Sequence, residues 1–115
     1  MHDLSTRLFF ESLAHFKIPS PAKEFRFDLT RKWRMDWAWP EEKLCLEVEG
    51  GVWIHGGHTR GSGFVNNLEK YNRMAEMGWR LIRVQPKDLL TRETARLIAS
   101  CLNIKISVAY EQKAV

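Results

Sequence analysis

The residues of this chain best placed to do chemistry are three carboxylates, Asp36, Glu47 and Glu49. Glu47 and Glu49 close the run KLCLEVEGG, residues 43–51, directly before two glycines. Strand side chains alternate between faces with period two. Lys43, Cys45, Glu47 and Glu49 therefore share one face of a strand, and Leu44, Leu46 and Val48 share the other. In the preceding run KWRMDWAW, residues 32–39, Trp33, Met35, Trp37 and Trp39 take one face and Arg34, Asp36 and Ala38 the other. Pairing of the two runs through a turn at Pro40 brings Asp36 to the face of Cys45, Glu47 and Glu49. Like charges gathered at one end of a sheet need compensation by protonation, a nearby cation or a metal. Oxygen donors of this kind suit a hard divalent ion, Mg2+ or Mn2+. The competing reading is three solvated carboxylates on an exposed face.

The elements that must position these groups can be read from spacing and punctuation. Leu4, Leu8, Phe9, Leu13 and Phe16 fall near helical spacing, which predicts a helix over 4–16 that stops before Pro19 and Pro21. EFRFD, residues 24–28, alternates and reads as a strand. Strands over 32–39 and 43–49, separated by Pro40-Glu41-Glu42, complete an antiparallel meander. A glycine-rich loop over 50–63 follows, long by ordinary standards. Phe64, Leu68, Tyr71 and Ala75 predict the buried face of a helix over 64–77, with Ser62 as N-cap and Gly78 as the C′ glycine. WRLIRV, residues 79–84, is a fourth strand. Thr91 caps a last helix over 92–102. The tail from Asn103 alternates weakly and reads as a fifth strand or a docked arm. The expected class is α+β, order α-β-β-β-α-β-α, with a mixed sheet flanked by helices.

With 115 residues, 44% hydrophobic and 28% charged, the composition is that of one globular domain over residues 1–115, with 103–115 a flexible or docked tail. No window approaches the roughly 18 apolar residues of a membrane span, and the opening residues do not read as a signal peptide. Cys45 and Cys101 have no CxxC partner. The expectation is a reduced, cytoplasmic protein with no membrane partner. A net charge of +4, densest at Arg31-Lys32-Trp33-Arg34, is compatible with a polyanionic partner and equally with a mildly basic surface.

The run WRMDWAWPEEKLCLEVEGG, residues 33–51, resembles the catalytic hairpin of the PD-(D/E)xK nuclease superfamily, the restriction-endonuclease-like fold. It is most similar to small phage and prophage endonucleases and to very-short-patch-repair-like relatives. HTRGSGFVNNLEKYNRMAEMGWRLIRV, residues 58–84, looks like the helix and strand that follow there. The resemblance covers residues 24–85 and implies a metal-dependent DNA endonuclease in a bacterial host cell. Asp36 matches the motif aspartate and Glu47 the following acidic residue. These two, with the Val48 carbonyl and Glu49, would hold Mg2+ or Mn2+. The superfamily's lysine belongs where Glu49 stands. Members with such a substitution often present the lysine from the next helix, and Lys70 is the candidate. It lies about a quarter turn from the apolar face, beside Asn67 and Met74. A solvent-facing lysine paired with Glu69 or Glu76 is the plainer reading.

On the same resemblance, Arg31, Lys32, Arg34, His58 and Arg60 would contact DNA phosphates, with His55 a weaker candidate. The glycines of the 50–63 loop would allow close approach to the backbone. Glu11 and Glu24 are candidates for a further acidic residue near the site. Trp33, Trp37 and Trp39 read as core, since three exposed tryptophans on one strand are costly. Double-strand cleavage by so small a domain needs a homodimer or sequential nicking. His55, His58, Asn66 and Asn67 superficially resemble an HNH site, but both histidines precede the helix in one loop. A zinc site of Cys45, His55 and His58 lacks a fourth ligand. The alternative in another class is a catalytically inactive DNA-binding or assembly module, favoured by the lysine missing at position 49.

Overall fold

The structure, a computed structural model, describes residues 3–50 and 62–106. The protein is α+β, with three α-helices and a four-stranded mixed sheet in the order α-β-β-β-α-β-α. Its described residues group into two compact units. One draws on residues 3–20 and 87–106, the other on 21–50 and 62–86.

The first unit holds α1 (Leu4–His15) and α3 (Arg92–Cys101). Asp3 caps α1 by accepting from the Thr6 N–H at 2.8 Å, and Thr91 caps α3 by accepting from the Thr94 N–H at 3.3 Å. Both helices end in a left-handed residue, Lys17 (φ 59°) and Asn103 (φ 59°). The N–H groups of Ile18 and Ile104 then close back on Leu13 and Ala99, so the last carbonyls are satisfied. Phe9, Leu13, Ile98 and Ala99 are buried. Among the described residues no helix is long and apolar enough to cross a membrane.

The second unit carries the sheet, β1 (Ala22–Arg26), β2 (Arg34–Trp39), β3 (Leu44–Val48) and β4 (Arg80–Val84), in that spatial order, and α2 (Ser62–Glu76). β1, β2 and β3 pair antiparallel and β4 joins β3 in parallel. A parallel neighbour cannot be reached by a tight turn, so the chain crosses over through α2. β2 and β3 are joined by a single 3-10 turn at Pro40–Glu42, closed by Lys43 in the left-handed region (φ 52°). α2 ends at Gly78 (φ 84°), with the Trp79 N–H donating to the Met74 carbonyl at 2.9 Å.

Three local expectations shift. β1 lies at 22–26 rather than 24–28, because the segment after it serves the next turn. Asp28 Oδ2 accepts from the N–H groups of Thr30 and Arg31 at 3.1 and 2.9 Å, and Phe27 is buried outside the ladder. β2 opens at Arg34 because Arg31 and Trp33 bond instead to α2 through Asn66. Ser62 is the first helical residue of α2 rather than the residue before it.

The buried face of α2 also differs. Phe64 and Leu68 are exposed, as is Ala75, whereas Lys70 and Met74 are buried. Met74 joins a cluster with Phe27, Trp33, Met35, Ala38 and Cys45, against which Tyr71 and Met77 pack. A helix buries the stripe that finds partners, and Lys70 finds a carboxylate. Trp33, Trp37 and Trp39 are all buried, as expected of core residues. The tail beyond residue 106 and the loop over 51–61, including His55, His58 and Arg60, lie outside the described residues.

Candidate catalytic site

The site forms where the β2–β3 ladder stops. Its register pairs Trp39 with Leu44, Ala38 with Cys45 and Trp37 with Leu46. One step further, side chains take over from backbone. The Asp36 N–H donates to Glu47 Oε2 at 3.0 Å, and the Val48 N–H donates to Asp36 Oδ2 at 2.8 Å. Each carboxylate thus satisfies a backbone donor that the parted strands leave unmet, at a depth where an unmet donor is costly.

Glu47 is only 6% exposed, and α2 supplies its charge partner. Lys70 Nζ donates to Glu47 Oε1 at 3.1 Å, with both side chains buried. The Tyr71 hydroxyl donates to the same oxygen at 3.2 Å. Cys45 Sγ lies 3.7 Å from Glu47 Oε2. Glu49 does not join this group. It turns to Arg83 on β4, whose Nε lies 2.9 Å away, and the Arg83 guanidinium lies over the Tyr71 ring at 5.4 Å. Gly50 follows because a Cβ there would come within 2.8 Å of Pro86 Cγ.

Burial pushes the Asp36 carboxyl up from its ordinary value, against the Val48 N–H bond that lowers it, and the Glu47 charge adds to the rise. Burial, then Glu47, pushes up the Tyr71 phenol, which stays protonated as a donor. The same two causes raise the Cys45 thiol, which favours its protonated form beside Glu47.

Among the sequence candidates, Asp36, Glu47 and Lys70 come together, and Val48 adjoins them through its N–H. Glu49 stands apart on Arg83. Among the described residues no three His, Cys, Asp or Glu side chains converge as a ligand set. Arg31, Lys32 and Arg34 line a cleft of about 530 Å³ together with Lys70. Glu24 is exposed and pairs with Arg34 at 3.1 Å; Glu11 is exposed on α1. Tyr71 and Arg83 are not among the site residues that the sequence suggests, and Asn66 enters there only through the HNH comparison. Tyr71 had a signal in its place beside Lys70. Arg83 had none, since only the parallel register that sets it against Glu47 reveals it.

No family model matches the chain, and no solved structure matches it. It is 30% identical over 67 residues to two curated proteins of Mycobacterium tuberculosis, Uncharacterized protein MT2308 of strain CDC 1551 and Uncharacterized protein Rv2248 of strain H37Rv. The match covers 58% of this chain and 23% of each relative, so the chain spans less than a quarter of their length. Neither printed name carries an activity.

Proposed function

We propose that the protein is a metal-dependent DNA endonuclease of the PD-(D/E)xK superfamily, acting in the cytoplasm of a bacterial host cell, alone or as a homodimer. The observation that carries this reading is the meeting of Asp36, Glu47 and the buried ammonium of Lys70 where β2 and β3 part. An acidic pair from adjacent strands with a lysine from the next helix is what the resemblance implies for a chain with glutamate at position 49.

The residues fit a hard cation. Their donors are oxygens, and Asp36 Oδ1 accepts no hydrogen bond from the described residues. The Asp36 carboxyl is held up by burial and by Glu47, which is the strain a cation relieves. Mg2+ or Mn2+ would be held by Asp36 and Glu47 with the Val48 carbonyl. When bound, such an ion lowers the pKa of water and offsets charge on a phosphate. The chain's own contribution is positioning. The Val48 N–H orients the Asp36 carboxylate, and the Tyr71 hydroxyl holds Glu47. Lys70 Nζ would stabilise the attacking hydroxide, or the phosphorane that forms from it, by hydrogen bonding and charge.

One observation favours a second reading, a nuclease-fold module that binds DNA without cutting it: both oxygens of Glu47 already face protein donors. Plasmid nicking across a titration of Mg2+ and Mn2+ separates the two. The nuclease reading expects nicking that Asp36→Ala and Glu47→Ala each abolish. Binding without nicking under either metal favours the module. Variants that nick like wild type sink the site assignment.

A further inference from the structure

The turn after β1, the start of β2 and the first half of α2 enclose the cleft of about 530 Å³, a size typical of ligand clefts. Four cations line it, Arg31, Lys32, Arg34 and Lys70, and no aspartate or glutamate does among the described residues. We propose that this cleft is a phosphate subsite that holds the sugar-phosphate backbone of a nucleic-acid strand by charge, without stacking on its bases or reading them.

The cation set is built in advance. Asp28 fixes the turn through the Thr30 and Arg31 N–H groups, and its other oxygen accepts from Arg73 Nε at 3.0 Å on α2. Arg31 Nη2 in turn donates to Asn66 Oδ1 and Glu69 Oε1 at 3.2 and 3.0 Å. A guanidinium already held in place loses little freedom on binding an anion. The pairs Arg31–Glu69 and Arg34–Glu24 are exposed, and such pairs are weak enough for a phosphate to compete with. Lys32 is exposed and has no partner among the described residues.

Two of the groups in the lining that could read bases, the Trp33 ring and the Asn66 amide oxygen, are already engaged. The Arg31 guanidinium lies 3.9 Å from the Trp33 ring centroid, and Phe27 stacks on the same ring at 6.1 Å with planes 16° apart. Trp33 Nε1 donates to Asn66 Oδ1 at 2.9 Å, so this amide oxygen already serves two donors. Apart from the Asn67 amide, what the lining chiefly presents is positive charge, which recognises phosphate. Lys70 belongs both to the cleft and to the Glu47 pair, so a backbone held here runs directly to the Asp36–Glu47 site. That the polyanion is nucleic acid rests on the nuclease reading above.

The test is fluorescence anisotropy of two labelled 12-mers, oligo-dT and a mixed sequence, in EDTA and at low salt. Wild type should bind both within about threefold of each other, since charge alone carries no sequence information. Lys32→Glu and Arg34→Glu should each weaken both by about tenfold, and the double variant should flatten the slope of log K on log salt by about 1.4. Thermal melting by circular dichroism checks that the variants are folded. Lys32→Gln, which only neutralises an unpartnered exposed residue, serves as the milder version. Arg96→Glu makes the same charge change on α3, outside the cleft lining, and should cost less than Lys32→Glu. Equal losses from Arg96→Glu and Lys32→Glu overturn the subsite, and so does a marked preference between the two sequences or no binding by wild type. The nuclease reading fails separately. A protein whose cleft variants lose binding but which nicks no plasmid keeps the subsite and loses the enzyme. One that nicks plasmid with cleft variants binding like wild type does the reverse.

Discussion

Lys70 Nζ sits 3.1 Å from Glu47 Oε1, and both side chains are about nine-tenths buried. A buried ion pair is not strong evidence of net stabilisation, because both charges lose their water. Its cost makes it informative. An ordinary core position on α2 would take a methionine, as position 74 does. A lysine held there against a strand carboxylate is better explained by chemistry than by packing.

Lys70→Met should therefore separate the two roles. Removing one partner leaves Glu47 charged and buried, at a cost of about 3–5 kcal/mol. Urea denaturation should show that loss, and the double variant Lys70→Met/Glu47→Gln should recover most of it. Neither variant should nick plasmid. A Lys70→Met protein as stable as wild type would contradict the ion pair itself.

Tyr71→Phe deletes one donor to Glu47 and nothing else the structure records. Stability should fall by about 1 kcal/mol, the usual net value of such a bond. If Glu47 holds a cation, losing a group that orients it should weaken Mn2+ binding by about tenfold. Titration calorimetry with Mn2+ in the absence of DNA measures this. Unchanged affinity would remove Tyr71 from the site.

Asp28 links the 28–31 turn to α2 and should make stability pH-dependent. The Arg31 N–H, then Arg73, then the Thr30 N–H hold its carboxyl well below the ordinary value of 3.8. A depressed carboxylate contributes stability that is present above the unfolded-state pKa and lost as pH falls through the folded one. Asp28→Asn should thus melt below wild type at pH 7, and the gap should close as pH falls below about 4. A gap that stays constant into acid would mean that the hydrogen bonds, not the charge, account for the effect.

The parts of the site that follow from strand alternation could be read from sequence. Pro40 marks the turn that makes the strands of Asp36 and Glu47 adjacent, and alternation places Glu47 with Cys45, but Met35 and Ala38 share one cluster, so period two does not run unbroken through Asp36. Glu49 was expected beside them on the same grounds, yet the parallel partner β4 brings Arg83 within its reach. Pairing between distant strands leaves no local mark. The buried stripe of α2 differs from the apolar one for a related reason. Helical periodicity finds apolar side chains, and this stripe includes Lys70, whose burial depends on a carboxylate on another element. Phe64 and Leu68 supplied the period but not the face.

That geometry decides where a lysine can work. Glu49 occupies the position at which the resembling superfamily carries its lysine, so Glu49→Lys looks like a restoration. Here it would not be one. The side chain at 49 lies against Arg83, whose guanidinium is 2.9 Å from the present carboxylate. A lysine there meets a like charge and is turned from the site, while Arg83 loses its partner. Glu49→Lys should therefore fail to rescue plasmid nicking in a Lys70→Met background. Adding Arg83→Gln removes the repulsion and frees the new ammonium to approach Glu47, so the triple variant should regain measurable nicking. Rescue by Glu49→Lys alone would show that Arg83 does not control the direction of residue 49. Failure of the folded triple variant would show that the ammonium must come from α2.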